Sequence, residues 1–341
     1  MPKIEIPELS FPTQIDSTML ATFDSCPQKF FIEYFLHLAP TGRSPDLHAG
    51  GAFATALEHT RRALYMHDLP LADAILPGLR AFMQYWGDYE PPEDHPKSRT
   101  NTFNAVLDYF AEYPPAQDPV QPYINEAGEP AVEFTFAEPT EILHPETQQP
   151  ILHVGRFDML GVYNKSLLAV VDEKTTKALG AMWAKQWMMR GQFIGYCRAA
   201  QRAGFDCSTA IIRGIAIQKT QYKHMQVIES FPRWQIERWW DETQRKIAQM
   251  IDYWHMTKYI IEHNGLDYEK IHRMWPYSYG DACSSYGGCS FAHLCTVERP
   301  SEWYDNYSLR FWDPLKKDPT ADSPDDKPKI VGEYTWEELM S

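Results

Sequence analysis

Two strand-like runs, ILHVGRFDMLGVY from 151 to 163 and LLAVVDE from 167 to 173, are separated only by Asn164, Lys165 and Ser166. A turn-forming triplet between such runs predicts a β-hairpin. Pairing Tyr163 with Leu167 sets its register: Asp158 then faces Asp172, and the period of two puts Lys174 on the same face. Opposed residues on a sheet have Cβ atoms roughly 4.5–5.5 Å apart, and like charges placed there repel. The hairpin must therefore either turn that face to solvent, as an ordinary polar edge does, or put something positive between the carboxylates. A divalent cation meets the second condition. Mg2+ and Mn2+ prefer hard oxygen ligands, and the strand offers Asp158, Asp172 and the backbone carbonyl of Glu173. Lys174 would then hold an attacking water and steady charge on a phosphate.

The flanking sequence supplies helices. STMLATFDSCPQKFFIEYFLHL, residues 17–38, begins with a capping signal and keeps helical apolar spacing with one break at Pro27. Helical patterns follow in LHAGGAFATALEHTRRALYMHD, around Leu79 to Trp86, and in TFNAVLDYFAEY. Strand candidates AVEFTFAE, TAIIRGIAIQ and HMQVIESF surround the hairpin, with helices expected from about 180 to 203 and from 233 to 263. This order predicts an α/β fold: a small mixed, largely antiparallel sheet flanked by helices. The expected organisation is a helical region over 1–125, a sheet-bearing core over 126–265, a cysteine-containing region over 266–312 and a mobile Pro/Asp-rich tail over 313–341.

Charge is distributed unevenly. The chain carries a formal −14, which argues against coating nucleic acid by bulk attraction, yet residues 174–258 hold fourteen Lys/Arg against six Asp/Glu. That block also contains Trp183, Trp187, Phe193, Tyr196, Tyr222, Trp234, Trp239 and Trp240. Two readings stay open: solvated helices with aromatic cores, or a surface that faces a polyanion. No apolar run approaches eighteen residues and no charged-then-apolar amino terminus occurs, so no membrane contact is expected, and the cytosol of a bacterium or phage-infected host is the expected location.

GRFDML, VVDEKTT, Trp183 and QFIGY at 192–196 resemble the GxxD, (D/E)xK and QxxxY series of the PD-(D/E)xK nuclease superfamily, in its RecB-type branch. STMLATFDSCPQKFF is similar to that branch's opening helix. The resemblance implies a restriction-endonuclease-like core in which Asp158 and Asp172 bind Mg2+ or Mn2+, Lys174 is the catalytic lysine, and Gln192 and Tyr196 face DNA. The branch usually carries a histidine ligand in a Gly-x-x-x-His pattern. The corresponding GGAFATALEH has Ala54 or Thr55 there, leaving Glu58 as the first substitute, with His59 and His48 behind it.

Of six cysteines, Cys283, Cys289 and Cys295 stand in CSSYGGCSFAHLC, one thiolate short of a closed four-cysteine site; Cys197 and Cys207 read as core residues. Cys26 is the natural fourth. Nucleases of the AddB type and those of CRISPR adaptation bind a [4Fe-4S] cluster through one early and three late cysteines. The resemblance thus implies such a cluster on Cys26, Cys283, Cys289 and Cys295, with structural Zn2+ as the alternative occupant. The implied function is a metal-dependent DNA exonuclease of recombination, repair or phage DNA metabolism, working with DNA and with a helicase, recombination or replication partner. The competing expectation is a catalytically inactive, nuclease-derived DNA-binding or assembly subunit.

Overall fold

The computed structural model describes residues 4–284, 288–315 and 329–330. The chain forms two compact units whose segments alternate along the sequence. One comprises Met1–Gly42, Ala137–Gly155 and Arg238–Pro328; the other comprises Arg43–Phe136, Arg156–Glu237 and Lys329–Ser341. Most of the tail expected to be mobile, 313–341, lies outside the described residues.

In chain order, the first unit begins with β1 (Gln14–Ile15), α1 (Ser17–Ser25), α2 (Pro27–Tyr34) and β2 (Leu38–Pro40). The second contributes α3 (Pro45–Met66), α4 (Leu71–Trp86), α5 (Arg99–Glu112) and β3 (Val120–Pro122). Strands β4 (Val132–Leu143) and β5 (Pro150–Tyr163) contribute to both. Next come β6 (Leu167–Thr176), α6 (Ala181–Lys185), α7 (Gly191–Arg202), β7 (Thr209–Ile217) and β8 (Tyr222–Ser230). Helix α8 (Arg233–Asn264) leads back to the first unit, followed by α9 (Tyr268–His272), α10 (Ala292–Thr296) and β9 (Tyr307–Leu309), with β10 (Lys329–Ile330) last. Among the described residues no helix is long and apolar enough to cross a membrane.

The sheet has the order β10-β4-β5-β6-β7-β8, with β1 and β3 also pairing with β5. Pairs β3–β5, β5–β6 and β7–β8 are antiparallel, whereas β6–β7 is parallel, the crossover that a parallel pair requires being supplied by α6 and α7. This is the mixed α/β arrangement the sequence predicts. Strand β7 is buried at every position, as a central strand covered on both faces must be. The predicted hairpin register holds from Tyr163–Leu167 to Met159–Val171. Its turn puts Asn164 and Lys165 in the left-handed region, with φ of 49° and 63°; asparagine adopts this conformation more readily than most residues.

Proline and packing account for the helix breaks. Pro27 opens α2 at its first turn, where a missing N–H is harmless, and Asp16 caps α1 by accepting the Met19 N–H at 2.7 Å. The first unit closes over an aromatic core in which Phe30, Phe31 and Phe35 surround Trp275, Phe31 stacking on it at 5.3 Å. The helix expected from 180 to 203 is interrupted between α6 and α7. There Trp187 packs edge-on against Phe193 at 5.5 Å, and its carbonyl accepts the Arg190 N–H in a tight turn.

Gly161 of β5 lets strands crowd together. A Cβ there would lie 2.9 Å from Val171 Cγ2 and 3.0 Å from Val120 Cγ1. Gly161→Val should therefore overpack the hairpin, lowering stability by about 1–3 kcal/mol in urea denaturation; an unchanged midpoint would show that β3 yields freely.

Candidate active site

Strand β6 carries charges on both faces. On one, Lys174 Nζ stands 2.5 Å from Asp172 Oδ1. On the other, Glu173 receives both arms of Arg61 from α3, Nη1 reaching Oε2 at 3.0 Å and Nη2 reaching Oε1. Tyr109 of α5 donates to Glu173 Oε1 at 2.9 Å and accepts from Arg61 Nη2 at 3.0 Å and Arg213 Nη1 at 3.3 Å. Its hydroxyl thereby uses its one donor and two acceptor sites. Arg213 in turn grips Asp118 through contacts of 2.6 and 2.5 Å, with its guanidinium 4.0 Å over the Tyr113 ring.

The β5–β6 ladder ends one pair short of Asp158 and Asp172. Instead, Asp158 Oδ2 accepts the Glu173 N–H at 2.8 Å. The N–H and C=O of a strand residue leave on one edge, so the Glu173 carbonyl belongs to the Asp158 edge as well.

Burial pushes the Asp158 carboxyl well above the usual carboxylate range, and Asp172, Glu173 and Glu133 push it further while Lys174 opposes them. Asp172 is raised chiefly by burial, with Lys174 pulling it back. Glu173 goes the other way: burial would raise it, but Arg61 above all holds it down to about 2. Burial favours a neutral Lys174, yet Asp172 and then Asp158 override it and raise the amine's pKa. Lys174 is thus a fixed ammonium, a hydrogen-bond donor and not a proton acceptor.

Glu133 is the carboxylate that sequence reasoning missed. It lies on β4 with φ of 57°, an uncommon conformation outside glycine that costs on the order of 1–3 kcal/mol and concentrates at functional sites. Burial raises its carboxyl to about 7, against the pull of Arg156, whose Nε lies 2.9 Å from Oε2. The only sequence signal was an acid inside the apolar run AVEFTFAE. Glu58, the expected replacement ligand, is buried and accepts from Arg62 Nε at 3.0 Å, and His48 Nε2 lies 3.1 Å from the Trp86 carbonyl. Gln192 and Tyr196 do share a face of α7, Gln192 donating to the Tyr196 hydroxyl at 2.9 Å, but the Tyr196 ring is buried against Phe157 and Phe193. Most aromatics of the basic segment likewise enter the core; Trp234 is the large exception, 64% exposed.

Among the described residues, no three His, Cys, Asp or Glu side chains gather closely enough to hold a metal by themselves. Two carboxylates do converge here, Asp172 buried with the Lys174 ammonium on its Oδ1 and Asp158 on the neighbouring strand position. That donor set suits Mg2+ or Mn2+, which often bind one or two carboxylates and complete their shell with waters and substrate phosphates. In the other unit, Cys26 lies between α1 and α2, and the Cys289 N–H donates to the Cys283 carbonyl at 2.9 Å. The Cys295 thiol is pushed up to about 12 by burial and then by the charges of Cys26, Cys289 and Cys283. All six cysteines are free thiols, and Cys197 and Cys207 are buried as a pair. A family model described as the PD-(D/E)XK nuclease superfamily matches residues 17–296. No curated protein matches the chain.

These charges make stability depend on pH. A carboxyl raised in the native state keeps a proton that the unfolded chain has released, so its ionisation costs stability as pH climbs above the unfolded value. Asp158→Asn should therefore melt higher than wild type at pH 8, the gap closing towards pH 4; equal melting at pH 8 would remove this account. Glu173 has the opposite sign, its stabilisation present above the unfolded pKa and lost as pH falls towards 2. Glu173→Gln, which leaves the buried Arg61 unpaired, should cost about 3–5 kcal/mol near neutrality, measured by urea unfolding.

Proposed function

The chain belongs to the PD-(D/E)XK nuclease superfamily, and from that premise we propose that it is a Mg2+- or Mn2+-dependent deoxyribonuclease that acts as an exonuclease on single-stranded or end-exposed DNA. The observation that carries this reading is the ammonium of Lys174, kept charged beside two strained carboxylates on one sheet face. Asp158, Asp172 and the Glu173 carbonyl would hold the divalent ion, which when bound polarises a phosphodiester and acidifies a water. Lys174 orients the attacking water and stabilises charge gathering on the phosphate oxygens. Arg61 and Tyr109 keep the Glu173 side chain on the far face, leaving its peptide edge to the site. Basic residues after Lys174 supply phosphate attraction that the acidic remainder of the chain lacks.

The electrostatic influence of Cys26, Cys283 and Cys289 on Cys295 supports a structural [4Fe-4S] cluster on these four residues, with Zn2+ the alternative. We place the protein in the cytosol, in recombination, repair or phage DNA metabolism beside a helicase, recombination or replication partner. One competitor is a DNA-binding or assembly subunit without turnover, favoured by Ala54 and Thr55 standing where the Gly-x-x-x-His histidine is expected.

Anaerobically purified protein should degrade end-labelled DNA with Mn2+. Lys174→Ala should cut on the order of 10²–10³-fold more slowly while still binding. Wild type that binds DNA but cuts with neither Mn2+ nor Mg2+ would hand the reading to the non-catalytic subunit. For the cysteines, the protein should contain iron and acid-labile sulfide, both lost in Cys26→Ala; stoichiometric zinc without iron would replace the cluster with Zn2+.

A further inference from the structure

The segment joining β6 to α7 sorts its large apolar residues into two sets. Trp183 and Trp187 pack inward. Trp183 lies so close to Gly214 of β7 that a Cβ there would come 2.6 Å from its Cη2, and Gly214 is the register partner of Lys174. Trp187 meets Trp183 edge-on at 5.1 Å and Phe193 at 5.5 Å, while the Lys174 ammonium sits 5.9 Å from the Phe193 ring. These contacts fix the segment beside the proposed catalytic lysine. Met182, Met188 and Met189 are instead 83%, 61% and 69% exposed. Gln235 donates to Met189 Sδ at 3.2 Å, which sets the first turn of α8 beside Met189, and the adjacent Trp234 is 64% exposed. Lys185 and Arg190 are exposed within the segment, and Arg190 is near enough for its charge to act on Lys174. The Trp187 indole N–H is buried without a partner.

Several exposed thioethers and an indole beside a polyanion site call for an occupant that is both apolar and anionic. An intact duplex hides its base faces and offers phosphates, whereas unpaired nucleotides offer both. Thioethers are flexible and polarisable, so they fit any base without reading sequence. We propose that Met182, Met188, Met189 and Trp234 form a lip that contacts the unpaired bases of a single strand at the Lys174 site, with Lys185 and Arg190 on its phosphates. The proposal rests on the nuclease reading and deepens it: the strand accepted is one whose bases are free.

The test is fluorescence anisotropy in chelator, without cleavage, on three labelled ligands: an oligothymidylate, an abasic strand of equal length and a blunt duplex. Replacing Met182, Met188, Met189 and Trp234 together by serine should weaken oligothymidylate binding on the order of 10–100-fold, as lost base contacts do. Abasic and duplex binding should stay at wild-type levels, and leucine at the three methionine positions should retain affinity. Equal losses on oligothymidylate and abasic strand, or no loss on either, would overturn the lip. So would wild type that binds the abasic strand as tightly as oligothymidylate, since the patch would then serve another partner. Wild type that binds none of the three ligands would sink the DNA reading itself, an outcome distinct from failure of the lip alone.

Discussion

The ion pair between Arg61 and Glu173 supports the site from behind. Strand β6 carries three charged residues in succession through a buried sheet, and alternation sends Glu173 to one face and its neighbours to the other. Each face then needs a cation of its own, because burying an uncompensated carboxylate is prohibitive. On the far face Arg61 fills that need so completely that Glu173 is held ionised. On the near face Lys174 answers only in part, and Asp158 and Asp172 remain under strain. The faces therefore differ: one is closed by protein, and the other keeps two carboxylates against one ammonium, a demand that a divalent ion would meet under the proposed function.

The hairpin was legible because its determinants are local. A turn triplet and a period of two are enough to set Tyr163 opposite Leu167 and to put Lys174 on the Asp172 face. The break at Pro27 was equally local. What could not be read were partners fixed by tertiary packing. Nothing near residue 173 announces that Arg61 and Tyr109 will enclose it, or that Arg213 will bridge to Asp118. Glu133 was hidden for the same reason, its significance depending on a strand partner and on a backbone conformation that no propensity assigns. The turn at 186–190, with the Trp187 ring against Phe193 and its carbonyl accepting the Arg190 N–H, is likewise a matter of tertiary packing.

The basic, aromatic block shows how composition can mislead about surface. Trp187, Phe193, Tyr196 and Trp240 are buried, so most of the rings that suggested a stacking surface build the core instead. The exposed apolar contribution comes chiefly from methionine, a residue that pattern reading assigns to cores by default.

The alternation of the two units along the chain has a consequence for biosynthesis. Translation delivers Phe30, Phe31 and Phe35 early, but the tryptophans that enclose them, Trp254 and Trp275, emerge only after nearly all of the second unit has been made. Those aromatic helices must wait, unsheltered, in a state prone to aggregation and to capture by chaperones. The strands that carry Asp158, Asp172 and Lys174, by contrast, can assemble as soon as β8 has left the ribosome.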